Sequence, residues 1–298
     1  MKKRLTKCPL CKSGLFLNHL EATDHSVSKE KFLLCKCSNC NFVFTNPRPS
    51  IESIGKYYEF EDYISHQDKS NNLTNWLYKI VRNITLKNKL AWINQYHENK
   101  GTILDIGSGT GYLLNTANKD GWNTKGIEPN EIAREKAKAF GLEIFQSIEE
   151  LDPNEQFDAI TLFHVLEHIH ALRKTTKSIV NKLKDDGTLF IAVPNIDSWD
   201  AAYYQAHWAA LDVPRHLYHF NQNTVKYLAK EMGLRIVEKK PMKFDSYYVS
   251  ILSEKNKHSN QSNIKTLWKA FVNGYKSNNW AKSHKGNYSS ILYILKKK

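Results

Sequence analysis

One carboxylate and three glycines stand together in ILDIGSGTGYLL, residues 103–114. An apolar run ends in Asp105, Gly107, Gly109 and Gly111 follow at alternate positions, and a helical pattern resumes at once. Glycine lets the backbone turn tightly and leaves room for a ligand against a strand end, so the segment has the form of a nucleotide-binding turn. A dinucleotide fingerprint wants its third glycine at position 112, which is Tyr112 here, and has no need of a carboxylate beside a diphosphate. Asp105 would repel a phosphate and attract an ammonium or a sulfonium. S-adenosylmethionine carries both cations.

A second chemistry is written in the cysteines. All five, Cys8, Cys11, Cys35, Cys37 and Cys40, lie in the first forty residues. Two CxxC pairs, Cys8/Cys11 and Cys37/Cys40, in a chain that starts without an apolar leader favour a metal knuckle over a disulfide framework. Four thiolates suit tetrahedral Zn2+, and Cys35 is left as a spare thiol or an alternative ligand. The 25 residues between Cys11 and Cys37 exceed the usual spacing, so a β-hairpin with strands near 15–20 and 31–36 must fill the gap.

These groups need elements to hold them. Short apolar runs at 102–106, 124–128, 143–146, 157–163 and 188–193 alternate with helical patterns at 111–120, 130–140, 171–184 and 222–233, and strands at 235–240 and 291–296 follow. Such alternation predicts an α/β fold, a parallel sheet covered on both faces. Gly121, Gly141, Gly187 and Gly233 each stand where a helix would end on a left-handed residue. The organisation reads as a zinc-ribbon-like element over 1–50, a helical cap or linker over 51–100, and an α/β domain over 101–298 with a loop at 194–221 and a basic insertion at 254–287.

Asp105-x-Gly107-x-Gly109-x-Gly111 resembles the first motif of class I S-adenosylmethionine-dependent methyltransferases. Glu128, which ends the second strand in GIEPN, resembles that family's ribose-binding acid. FDAITLFHVLEHI at 157–169 and DDGTLFIAVPN at 185–195 are similar to its fourth- and fifth-strand motifs. The CxxC start, NPRPS, HVLEHI and PRHLYHF at 214–220 together resemble a bacterial group with an N-terminal zinc-ribbon-like element, and the core resembles the quinone-biosynthesis O-methyltransferases. The resemblance implies a Rossmann-like seven-stranded sheet and cofactor contacts at Asp105, Gly107, Ser108, Gly109, Gly111, Glu128 and Phe163. It also implies a His164 that lines the methionine end. The Asn/Asp-Pro-Pro-Tyr tetrapeptide of enzymes that methylate nucleobase amines is absent, its place being taken by Phe163-His164-Val165-Leu166.

Methyl transfer is an in-line displacement, with a general base needed only where the acceptor must lose a proton. His164, His168, Arg215 and His216 are the candidates, histidine for its titration near neutral pH and arginine for a bidentate grip on an anionic acceptor. An acceptor site is expected between the carboxyl ends of strands one, four and five. Residues 199–220 would roof it, with Trp199, Tyr203, Tyr204 and Trp208 as an aromatic lining, and helices over 57–96 would wall it. A plainer reading makes HVLEHI a helix start with Glu167 and His168 solvated, and makes Trp268, Phe271, Tyr275 and Trp280 part of a helix covering the sheet.

Net charge is +13, yet residues 1–50 carry a basic surplus of six and residues 251–298 one of nine, so the middle is close to neutral. Basicity therefore says little about the substrate of a central catalytic domain. The expected reading is a cytoplasmic methyltransferase, without a membrane span, that O- or C-methylates a small molecule. The alternatives are an RNA methyltransferase whose zinc element and basic tails grip phosphate, and a non-catalytic cofactor-binding scaffold.

Overall fold

The computed structural model describes residues 2–58, 73–258 and 263–298. Its strands are Lys2–Lys3 (β1), Phe16–Thr23 (β2), Lys31–Cys37 (β3), Val43–Thr45 (β4), Arg48–Pro49 (β5), Thr102–Ile106 (β6), Asn123–Ile127 (β7), Glu143–Phe145 (β8), Phe157–Phe163 (β9), Leu183–Pro194 (β10), Tyr218–His219 (β11), Leu234–Pro241 (β12) and Ser290–Lys297 (β13). Seven of them form one sheet in the order β12-β13-β10-β9-β6-β7-β8. The β6–β7, β6–β9 and β7–β8 pairs are parallel. Buried apolar residues in TILDI and FDAITLF give these strands their near-continuous hydrophobic character, as expected where a sheet is covered on both faces.

The eight described α-helices are Leu73–Asn94 (α1), Tyr112–Lys119 (α2), Glu131–Lys138 (α3), Leu172–Asn181 (α4), Trp199–Tyr204 (α5), Gln222–Glu231 (α6), Lys243–Lys257 (α7) and Asn263–Ser283 (α8). Helix α1 lies within the stretch 51–100 read as a helical cap or linker, with Leu90 and Ile93 buried; residues 59–72 of that stretch lie outside the described residues. Gly121, Gly141 and Gly233 take φ of +95°, +76° and +72°. Gly187 does not. Helix α4 stops at Asn181 and β10 begins at Leu183, so Gly187 is a strand residue. A Cβ there would lie 2.8 Å from Leu183 Cδ1 and 3.1 Å from the Asp158 carbonyl oxygen, which means that close packing, not helix termination, requires glycine.

By compactness the chain divides into two units, one of residues 61–165, 176–191 and 294–298, the other of residues 1–60, 166–175 and 192–293. In the second, β2 and β3 form the antiparallel hairpin that the cysteine spacing requires, Phe16 opposite Cys37. The sheet goes on beyond the hairpin in the order β11-β4-β3-β2. Tyr218 pairs with Phe44 and His219 with Val43, so these two residues of PRHLYHF form an edge strand of the cysteine-bearing sheet. Phe42 joins the two through its rings, 5.7 Å from Tyr218 and 5.2 Å from Phe220. The core of this unit gathers Phe32, Leu34, Tyr57, Tyr204, Trp208 and Val213.

Two side-chain expectations reverse in this unit. Tyr204 and Trp208 are core residues, and Tyr203 stays exposed, stacked 4.9 Å from Trp199. In the 254–287 insertion Trp268, Phe271 and Tyr275 face solvent rather than the protein.

Candidate functional site

The glycine turn does what its composition asks. Gly107, Gly109 and Gly111 have φ of +69°, +53° and +77°, a region that costs residues with a Cβ roughly 1 to 2 kcal/mol. A Cβ on Gly107 would sit 2.4 Å from Val165 Cγ2, and one on Gly111 2.7 Å from Leu142 Cδ1. Gly109 differs: nothing lies within 4 Å of the place its Cβ would take, so the turn opens there onto free space. The Gly107 and Ser108 amides both donate to the Ile127 carbonyl, at 2.7 and 3.0 Å, tying the turn to the end of β7.

Glu128, one residue beyond β7, completes the cradle. Its Oε2 accepts from the Gly109 amide at 2.9 Å and its Oε1 from the Asn130 amide at 2.8 Å. A carboxylate offers about four lone-pair directions, so two remain for the paired hydroxyls of a ribose. Ser108 Oγ is buried and, among the described residues, finds no hydrogen-bond partner, as fits a group that a ligand completes.

Asp105 lies on β6 in register with Thr161 of β9 and accepts a 2.6 Å hydrogen bond from the Thr161 hydroxyl. Burial pushes its carboxyl up to about 6, helped by the charge of Glu128 and opposed by the Thr161 hydrogen bond and the Lys89 ammonium. Phe163 ends β9 with the Lys89 ammonium 4.1 Å from its ring centroid. His164 follows with φ +60°. A left-handed histidine is uncommon, and strain of this kind collects at binding turns.

The cysteine element brings four sulfurs together. Cys8 Sγ lies 3.7 Å from Cys40 Sγ and Cys11 Sγ 3.5 Å from Cys37 Sγ, all four being within 4.8 Å of one another. A tetrahedral ion with Zn–S bonds near 2.3 Å sets sulfurs about 3.8 Å apart, so the spacing fits zinc. Cys35 stands apart, its Sγ 3.7 Å from the Asn46 carbonyl. The carboxyl end of β3 and the turn after it present Cys37 and Cys40, while the loop before β2 presents Cys8 and Cys11.

The remaining candidates meet in the same unit. Glu167, expected on a solvated face, is fully buried. His168 Nδ1 donates to the Arg215 carbonyl at 3.1 Å and lies 3.0 Å from the Tyr58 hydroxyl. Burial first, and the neighbouring His216 second, bring His168 down to about 4. His216 Nδ1 donates to the Ala210 carbonyl at 2.8 Å, and its Nε2 lies 3.9 Å from both Glu167 Oε1 and Asp212 Oδ2.

Arg215 binds Asp212 through two nitrogens at 2.6 and 3.0 Å, the Tyr57 carbonyl at 2.9 Å and Asp24 at 3.3 Å. The fork that an anionic acceptor would use is thus held by Asp212. Asp24, Tyr58 and Thr161 escaped the sequence reading because each gains meaning from a partner far along the chain, and Asp212 escaped it although its partners Arg215 and His216 are local. Thr161 alone had a usable signal, as a hydroxyl inside the otherwise apolar run Ala159–Phe163 of the strand.

A family model described as a methyltransferase domain matches residues 78–239. Among curated relatives, the ubiquinone biosynthesis O-methyltransferase of Actinobacillus pleuropneumoniae serotype 7 is 36% identical over 106 residues, covering 31% of this chain and 45% of that protein. The ubiquinone biosynthesis O-methyltransferase of Erwinia tasmaniensis is 29% identical over 140 residues, covering 43% and 58%. The chain thus spans about half the length of the curated relatives it matches. Among solved structures, a SAM-dependent methyltransferase from Archaeoglobus fulgidus superposes with a TM-score of 0.50 at 19% identity, covering 72% of this chain and 94% of that one. The magnesium protoporphyrin IX methyltransferase of Synechocystis PCC 6803 with bound SAH gives 0.51 at 11% identity, covering 79% and 92%. These likenesses carry the Rossmann-like fold. With more than half its length matched by the family model, and with the glycine turn and Glu128 joined by a hydrogen bond, the chain belongs to the methyltransferase-domain family.

Proposed function

We propose that this protein transfers the methyl group of S-adenosylmethionine to a small-molecule acceptor, O-methylation being the preferred chemistry. The observation that carries the reading is the Glu128 carboxylate, fixed by two backbone amides beside the open space at Gly109. Asp105, Gly107, Ser108, Gly109, Gly111, Glu128 and Phe163 are the residues we assign to the cofactor. S-adenosylmethionine supplies an electrophilic methyl on a sulfonium; the chain supplies orientation, ribose hydrogen bonds and negative charge. The O-methyltransferase names of the curated relatives support an oxygen acceptor. Incubation with methyl-labelled S-adenosylmethionine and fractionated extract tests this: label in small molecules is expected, and label in RNA or protein would overturn it.

For the acceptor we propose His216 as general base. Its Nε2 lies 3.9 Å from Glu167 and Asp212, whose carboxylates would stabilise the imidazolium formed when it takes a proton. His168, held neutral to about pH 4, serves as its packed neighbour, with ring centroids 4.6 Å apart. Arg215 is a positioning residue, and His164 shapes the turn at the end of β9. His216→Ala is expected to lower kcat by about 100-fold while calorimetry finds cofactor affinity nearly unchanged. Equal loss of both would make His216 a packing residue.

Asp105 makes the cofactor reading pH-dependent. A carboxyl with a folded value near 6 is protonated at pH 5 and ionised at pH 7. Only the ionised form attracts a sulfonium and an ammonium, so cofactor affinity should rise with pH through about 6, by at most ~10-fold per unit. In the ligand-free protein the sign is opposite for stability. The contribution of this group is present below its unfolded value and is lost as pH rises through about 6. Titration calorimetry between pH 5 and 7.5 on wild type and Asp105→Asn checks both; a pH-independent affinity in wild type removes Asp105 from the site.

Zinc in the four-cysteine cluster is our reading of the metal. It would be structural, all four tetrahedral positions being taken by Cys8, Cys11, Cys37 and Cys40.

A further inference from the structure

Helix α8 is turned inside out. Its buried face is Thr266, Ala270, Asn273, Ser277 and Ala281. Asn273 donates to the Tyr204 hydroxyl at 2.9 Å and to Glu254 at 3.1 Å, and Ser277 donates to Asp200 at 2.7 Å. Gly274 lets α7 close upon it, since a Cβ there would meet the Tyr247 ring at 2.6 Å, and Ser246 of α7 donates to the Gly274 carbonyl. Small residues and buried hydrogen bonds therefore fix the rotation of the helix, leaving its large apolar side chains outward.

Those side chains form a stripe. Ile264, Leu267, Trp268, Phe271 and Tyr275 recur at the spacing of one helical face and are 82, 52, 68, 64 and 59% exposed. The neighbouring α7 adds exposed Phe244 and Tyr248, and its Tyr247 ring lies 5.5 Å from Phe271. Soluble proteins seldom leave so many large apolar side chains together in water. Around the α8 stripe the charge is basic: Lys257, Lys265, Lys276 and Lys282 are exposed, and from Lys255 to the last residue of the chain there is no Asp or Glu, while on α7 the half-buried Asp245 beside Phe244 is flanked by the exposed Lys243.

We propose that the α7–α8 hairpin docks this protein on an anionic lipid surface. Aromatic and aliphatic side chains would enter the headgroup boundary, and the lysines would face the lipid charge, as in helices that lie in a membrane interface. The charge pattern selects this occupant over a second copy of the chain, because two such faces brought together would set lysines against lysines. Among the described residues no helix is long and apolar enough to cross a membrane, so the contact is peripheral. The inference goes beyond methyl transfer and does not depend on which acceptor is used.

Sedimentation of the full-length protein with phosphatidylglycerol–phosphatidylcholine vesicles tests it. Binding to the mixed vesicles is expected, with at least ~10-fold less to phosphatidylcholine alone and a decline as salt rises from about 0.1 to about 1 M. Trp268→Ser with Phe271→Ser should cut vesicle binding by at least ~10-fold. Both residues are solvent-facing, so the calorimetric affinity for S-adenosylmethionine serves as the control for folding. Lys265→Glu with Lys276→Glu should weaken binding without touching the aromatic stripe. Absence of partitioning at every lipid composition, or binding that survives both double variants, would overturn the proposal. So would a concentration-dependent dimer that the Trp268/Phe271 pair abolishes, since the face would then belong to a second copy.

Discussion

Glu128→Ala is expected to weaken S-adenosylmethionine binding by about two to four orders of magnitude. Two hydroxyl-to-carboxylate hydrogen bonds, each worth about 1.5 to 3 kcal/mol, are lost, and 1.4 kcal/mol is about tenfold in affinity. The structure adds a second source of loss. Glu128 also accepts from the Gly109 and Asn130 amides, so alanine frees the turn that shapes the cradle. Glu128→Gln separates the two contributions. It keeps one oxygen acceptor but sets an NH2 group against either a backbone N–H or a ribose hydroxyl, and should fall between wild type and alanine. Isothermal calorimetry, with circular dichroism to confirm folding, reads both. Affinity unchanged in Glu128→Ala would remove this residue, and with it the assigned cradle, from the cofactor site.

Cys37→Ser is expected to lose the metal altogether, whereas Cys35→Ser keeps it. Cys37 ends β3 and stands opposite Phe16 of β2, while its Sγ is 3.5 Å from Cys11 Sγ. Removing that thiolate opens the tetrahedron and frees the hairpin at its base. Structural zinc contributes apparent binding energies of about 10 to 16 kcal/mol in small folded peptides. That is comparable to the whole margin of an ordinary domain, about 5 to 15 kcal/mol. The loss should spread further than the knuckle, because β4 pairs with β11 and thereby ties the element to PRHLYHF. Metal analysis of protein purified under reducing conditions should find one zinc per chain in wild type and Cys35→Ser, and none in Cys37→Ser. Limited proteolysis should cut first within residues 1–45 of the latter. A wild type without zinc refutes the reading; metal loss in Cys35→Ser reassigns a ligand.

The residue pattern alone determined a good deal of this protein. The seven sheet strands lie within a few residues of their expected places, β10 excepted. Alternating short apolar runs and helical periods can be satisfied by few architectures other than a covered parallel sheet. The glycine turn and the two CxxC pairs were also legible, since backbone conformation and ligand spacing are local properties. Gly107, Gly109 and Gly111 permit positive φ at little cost, and all three adopt it.

What the tertiary structure decided was everything that depends on a distant partner. That Arg215 would reach Asp24 as well as its local partner Asp212, or that Glu167 would be buried beside His216, depends on segments far apart in sequence being brought together. Nothing in HVLEHI distinguishes a solvated Glu167 from a buried one. Helix α8 shows the same limit most sharply. Its apolar stripe was legible as a stripe, but a helix with one aromatic face and one face of small polar residues can bury either. The hydrogen bonds that Asn273 and Ser277 make to Tyr204, Glu254 and Asp200 turned the polar face inward and left the aromatic one outside. Periodicity divides a helix into two faces; only the groups packed against it decide which face is buried.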